Sequence, residues 1–136
     1  MIIDSSALVA VFRKEPETQP LLKCLFEERG IIPAPVAVEY HRVVTRRGSR
    51  PADAAETFLR ELLAGEIMIG PFTPTDADLA SAANAPHGSG NGLGGTLNLL
   101  DLMVYGMARR MDLPILCTGR DFAATGIAIH PASRGW

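Results

Sequence analysis

Short apolar runs alternate along this chain with segments of helical length, and that alternation constrains its fold more than any other property. "MII", "GIIPA", "EIMIGPF" and "PILCT" are too short for helices and are bounded by turn or capping residues, so they read as buried strands. "GIAIH" is a candidate fifth. Ser5 or Ser6 can cap a first helix running to about Lys14, where Pro16 stops it. "ETQPLLKCLFEER" reads as a second helix with Gly30 at its end, and "PVAVEYHRVVTRR" as a third that Pro35 opens and Gly48 closes. Ser49 and Pro51 start a fourth through about Ala64, "TPTDADLASAANA" gives a short fifth, and "TLNLLDLMVYGMARRMD", Thr96 to Asp112, a long sixth. Strands separated by helices imply right-handed crossovers, hence a parallel sheet covered on both faces.

A chain of 136 residues fits one domain spanning 1–136, large enough to bury about two thirds of its unfolded surface. Hydrophobic residues at 47% and charged residues at 21% exclude disorder. The opening "MIIDSSALVAVFRKE" has no basic leader and carries Asp4 inside its first apolar run. That run is too short for a signal core or a membrane span, so a cytoplasmic protein with no membrane partner is expected. A net charge of −2 argues weakly against a nucleic-acid partner, but its distribution matters more. Arg42, Arg46, Arg47 and Arg50 fall within nine residues, and Arg42 and Arg46 are spaced to share a helical face. Such a cluster is a solvated surface or a grip on phosphates. Cys24 and Cys117 lack the paired spacing of a zinc site and read as buried thiols. "GNGLGG" matches a dinucleotide fingerprint by letter but follows a helix tail instead of a strand, so it reads as a loop.

Four acids stand apart. Asp101 lies on an apolar helical face with Leu97, Leu100, Val104 and Tyr105, with no local backbone donor expected in mid-helix. An ionised carboxylate in such surroundings costs several kcal/mol unless it has a partner, a proton or a metal. Asp4 directly follows the first strand and Asp121 follows "PILCT" by a tight turn, while Glu39 lies one turn into the helix after the second strand. Each acid has an ordinary alternative: a helix cap for Asp4, a pair with Arg42 for Glu39, a turn for Asp121. Together, beyond the carboxyl ends of parallel strands, they would repel one another unless a divalent cation held them. Oxygen-only ligands favour Mg²⁺ or Mn²⁺. Ser6 and Thr118, near Asp4 and Asp121, can hydrogen-bond the ligands or cap backbone.

The stretches "MIIDSSALVAVF", "PAPVAVEYHRVV", "LNLLDLMVYGMA" and "CTGRDFAATGI", in this order and spacing, make the chain resemble PIN-domain proteins over almost its whole length. Among these it is most similar to the VapC toxins of bacterial toxin–antitoxin pairs. The resemblance implies a three-layer α/β/α sandwich with a parallel central sheet. It also implies a Mg²⁺ site, with Mn²⁺ as an alternative, built by Asp4, Glu39, Asp101 and Asp121, and endoribonuclease activity leaving 5′ phosphate and 3′ hydroxyl ends. Arg42, Arg46 and Arg47, following Glu39 along one helix, would grip flanking phosphates of the RNA substrate. A cognate VapB-type antitoxin and a homodimer are the implied partners. Two departures stand out: Leu100 where relatives have glycine before the third acid, and "HGSGNGLGG" where relatives have an arginine-rich loop. The rival reading is a catalytically idle RNA-binding or scaffolding domain on the same fold. Leu8, Val9, Val11, Phe12, Leu21, Leu22, Leu25 and Phe26 exceed one sheet-facing stripe, so a groove for an amphipathic antitoxin helix is expected on the first two helices.

Overall fold

The computed structural model describes residues 1–16, 18–46 and 52–133. Its elements run β1 (Ile2–Ile3), α1 (Ser5–Arg13), α2 (Gln19–Glu27), β2 (Gly30–Pro33), α3 (Ala34–Val44), α4 (Ala52–Leu63), β3 (Ile67–Gly70), α5 (Pro74–His87), α6 (Leu99–Met111) and β4 (Ile115–Leu116). The four strands form a parallel sheet in the order β3-β2-β1-β4, so all connections are crossovers through helices, as the alternation of runs required. This is the expected three-layer α/β/α arrangement. Ile2 and Ile3 at its centre pair with Ile115 and Leu116, and all four side chains are fully buried, as in a sheet covered on both faces. "GIAIH" contributes less than a strand: only Ile129 pairs, by one parallel bridge to Ile115. The expected loop at "GNGLGG" is observed, with Gly90, Gly92 and Gly94 at positive φ, where a side chain would be strained.

On one face, α1, α3 and α4 meet around three rings: Phe12, Tyr40 and Phe58, with centroids 6.0 to 6.2 Å apart. The buried Tyr40 hydroxyl donates to the Ala55 carbonyl at 3.3 Å. Elsewhere α5 and α6 cross so closely that a Cβ on Gly106 would lie 2.3 Å from the Asp76 carbonyl oxygen. Asp76, fully buried, closes a capping box with Thr73 at the start of α5 and receives Arg110 Nε of α6 at 2.5 Å. Burial alone would raise its pKa, but Arg110 and Thr73 together hold it below the usual carboxylate range.

Several helix ends differ from those read in the sequence. Asp4, not Ser5 or Ser6, caps α1. Helix α3 stops at Val44, four residues before Gly48, with Thr45 at its C-cap and the Thr45 hydroxyl donating to the His41 carbonyl at 2.7 Å. Helix α6 begins at Leu99 with Asn98 as its cap, not at Thr96. Among the described residues no helix is long and apolar enough to cross a membrane.

Candidate metal centre

Strand order reverses at β1, with β2 and β3 on one side and β4 on the other. At such a switch point the helices leave in opposite directions and a crevice opens beyond the carboxyl ends of the strands. Asp4 leaves β1 directly into this crevice, and Asp121 reaches it from β4 through a turn in which Gly119 takes φ 85°.

Asp4 is 4% exposed and its two oxygens differ. Oδ2 caps α1, accepting from the Ser6 amide at 2.9 Å and the Ser6 hydroxyl at 2.5 Å. Oδ1 is buried with no hydrogen-bond partner. Burial pushes the Asp4 pKa up, and the Ser6 bonds oppose it. The same Ser6 hydroxyl accepts from the Thr118 amide at 3.0 Å, fastening the end of β1 to the end of β4. Ser6 thus bonds Asp4, and Thr118 joins it through its backbone N–H.

Glu39, half-buried in the second turn of α3, accepts the Ser5 hydroxyl at 2.6 Å on Oε2. Asp101 corrects the expectation of a mid-helix acid without a local donor. It occupies the first turn of α6, and its Oδ2 accepts the Asn98 amide at 2.8 Å while the Asn98 side chain accepts the Asp101 amide at 3.1 Å. This reciprocal box accounts for one oxygen only. Burial first, and then the charges of Asp4, Asp121 and Glu39, push the Asp101 pKa up to about 7 despite the Asn98 bond. Four acids separated widely in sequence therefore share one electrostatic neighbourhood. Asp121 is exposed, and its backbone carbonyl accepts the Thr96 hydroxyl at 2.8 Å, holding the turn against the approach to α6.

The chemistry of this donor set fits a hard divalent cation. All donors are carboxylate oxygens, one of them buried and unpartnered, and their mutual repulsion already favours a proton on Asp101 where a cation could sit. Among the described residues no three of these acids hold oxygens all within 4.8 Å of one another. Cys117, fully buried, has its thiol pushed up to about 12 by burial and then by the Asp4 charge.

The arginines are placed differently from expectation. Arg42 is exposed on α3, but Arg46 lies beyond the helix end at Val44, so the two do not share one helical face. Arg47 and Arg50 fall outside the described residues. Three positioning residues were not anticipated: Ser5 on Glu39, Asn98 on Asp101 and Thr96 on the Asp121 turn. Asn98 had a signal, since Asn followed three residues later by Asp is a variant of the capping-box pattern. Ser5 and Thr96 reach across 34 and 25 residues and had none.

An apolar groove is present on α1 and α2, with α4 as a wall that was not foreseen. A cavity of about 720 Å³ runs between α1, α2 and α4, lined by Val11, Phe12, Leu22, Phe26 and Phe58 with Glu15, Asp53 and Glu61 at its polar edge. Leu8, Leu21 and Leu25 are buried in the core, whereas Phe26 is 49% exposed.

Comparison with known proteins gives matching results. The PIN domain family model matches residues 1–128. Ribonuclease VapC28 of Mycobacterium tuberculosis is 30% identical over 128 residues, covering 93% of this chain and 95% of that protein. The crystal structure of Mycobacterium tuberculosis VapC20, described as a sarcin-ricin loop cleaving toxin, superposes with a TM-score of 0.73 at 14% identity, covering 93% of this chain and 95% of the other. VapBC2 from Rickettsia felis, solved bound to a DNA fragment from its promoter, gives 0.73 at 14% identity, covering 99% and 97%.

Proposed function

The chain belongs to the PIN-domain family, and from that premise we propose that it is a Mg²⁺- or Mn²⁺-dependent endoribonuclease, the toxin of a toxin–antitoxin pair. What supports the reading most is that burial and then the charges of Asp4, Asp121 and Glu39 push the Asp101 carboxyl up, together with a buried Asp4 Oδ1 that has no hydrogen-bond partner. When bound, a divalent cation supplies the Lewis acidity that makes water a competent nucleophile at neutral pH and neutralises charge building on the phosphate. The chain's own residues do the positioning. Asp4, Glu39, Asp101 and Asp121 would hold the cation, directly or through its water. Ser5 and Ser6 fix the rotamers of Glu39 and Asp4, and Asn98 fixes that of Asp101. Arg42 and Arg46, with Arg47, bind flanking phosphates of the RNA.

The partners follow from the same premise. An antitoxin of the VapB type lays an amphipathic helix in the groove between α1, α2 and α4, whose aromatic floor suits apolar anchors and whose mixed edge of Lys14, Glu15, Asp53 and Glu61 suits charged side chains. The protein acts as a single cytoplasmic PIN domain in a homodimer. The test is incubation of purified protein with Mg²⁺ and a pool of cellular RNAs, with cleavage ends mapped. Wild type should cut, and Asp4→Asn and Asp101→Asn should lose at least ~100-fold of that activity, the scale on which removing a group that stabilises developing charge acts. Asparagine can still accept the capping bonds, so the variants should stay folded. Cleavage at the wild-type rate by either would return the chain to an idle RNA-binding or scaffolding role.

A further inference from the structure

Away from the carboxylate crevice, three side chains of other chemistry meet where α2 ends. Cys24 Sγ, a Glu28 carboxylate oxygen and a ring nitrogen of His130 all lie within 4.8 Å of one another. Cys24 and Glu28 are brought together by the last turn of α2, one helical turn apart, and His130 arrives from the chain that follows the Ile129 bridge. We propose that these three residues form a zinc site that clasps the C-terminal turn of α2 to the end of the sheet.

The existing contacts already outline a coordination sphere. His130 Nε2 stands 3.1 Å from Glu28 Oε2, close to the roughly 3.3 Å between adjacent ligands of a tetrahedral ion with bonds near 2 Å. Cys24 Sγ lies within 4.8 Å of both the carboxylate and the imidazole. Thiolate, imidazole and carboxylate together select a borderline-soft ion, unlike the oxygen-only crevice, and three protein ligands leave a fourth position for water. The side chains of His130 and Glu28 are 12% and 49% exposed, so the ion has a path from solvent while Cys24 sits against the core. Without metal, burial and the adjoining carboxylate push the Cys24 thiol up to about 11, so it is protonated at neutral pH.

Binding balances simply. The Cys24 S–H bond breaks, its electron pair goes to the metal, and one proton leaves to solvent. His130 Nδ1 now accepts the Ala132 amide at 3.2 Å, which places the ring proton on Nε2. Coordination through Nε2 moves that proton to Nδ1 through solvent, with no net change, and releases the Ala132 amide. The turn from 130 to 133 must therefore adjust, and Ser133 within it bonds the Cys117 amide and the Ile115 carbonyl of β4.

The experiment titrates the purified, reduced full chain with Co²⁺ as a spectroscopic substitute for Zn²⁺, then displaces it with Zn²⁺. A thiolate-to-cobalt charge-transfer band should appear at one equivalent with release of one proton, vanish in Cys24→Ser, and persist in Cys117→Ser and Asp101→Asn. Because Cys24 is buried, Glu28→Gln on the surface is the second variant: it should keep its melting temperature and bind Co²⁺ at least ~10-fold more weakly. Absence of the band in the folded wild type, its persistence in Cys24→Ser, or unchanged affinity in Glu28→Gln would overturn the site. None of these readouts depends on whether the protein cuts RNA.

Discussion

At the scale of single residues, the acids of the candidate centre have oxygens taken up in holding the fold. Asp4 and Asp101 each spend one oxygen on a helix cap, and both are pushed toward the protonated state by burial. For Asp101 the direction has a measurable consequence. Its carboxyl titrates near 7 in the fold and in the ordinary range near 3.8 unfolded, so between these values the native state binds the extra proton. Stability in chelator is full below the lower value, falls as pH rises, and has lost this contribution above about 7. Melting temperatures measured in EDTA should decline from pH 5 to pH 8, and Asp101→Asn should flatten the decline. Added Mg²⁺ should recover more of it at each step upward, because proton and cation compete for the same carboxylates. A melting temperature independent of pH in EDTA would contradict the burial of this charge. The acids themselves were legible in the sequence because charged residues at strand ends and on apolar helical faces are anomalous. The hydrogen bond from Ser5 to Glu39 was not, since only the folded crossover brings residues 5 and 39 together.

At the scale of elements, strands were easier to read than helix ends. The apolar runs read as strands from their length, although Met68 and Ile69 of β3 are exposed and "GIAIH" makes a single bridge, whereas α3 ends at Val44, four residues before the glycine that marked its end in the sequence. Likewise Leu97 continues the apolar pattern of α6 backward past the Asn98 cap, so periodicity placed Asp101 too deep. The groove was legible only as surplus hydrophobicity on α1 and α2; its third wall, α4, follows from the aromatic contact of Phe58 with Phe12. Phe26 tests it without touching the core, being half exposed at the groove wall. Co-expressed with the small neighbouring reading frame, Phe26→Asp should bind the partner at least ~10-fold more weakly, about 1.4 kcal/mol, and cut RNA in its presence. Full inhibition of that variant would move the partner elsewhere. Gly106 tests the α5–α6 crossing: Gly106→Ala puts a methyl against a backbone carbonyl that cannot swing aside. It should lower stability by about 1–3 kcal/mol in urea unfolding, the usual range for overpacking, despite alanine's better helix propensity. Equal or greater stability would mean that the helices separate freely.

For the whole molecule, the binding crevice and the sheet depend on the same long-range closure. Strand β1 is central, and its partner on one side, β4, lies more than a hundred residues downstream, pairing Ile2 with Ile115 and Ile3 with Leu116. Removing residues 114–136 should therefore do more than delete Asp121: β1 becomes an uncovered edge and the Thr118 amide no longer holds Ser6. That truncated chain should be rapidly digested by protease and silent toward RNA, and a protease-resistant fragment would show that β4 is an accessory. This topology also sets an order of events on the ribosome. Synthesis proceeds at about 5–20 residues per second, so roughly 6 to 23 seconds separate the making of Ile3 from that of Leu116. Throughout that interval Asp4 exists, Glu39 and then Asp101 are added, and no crevice can close around them. On the proposed function, a growing chain could not cut RNA before β4 has been made and has paired with β1, so the order in which the strands are synthesised acts as a safety catch.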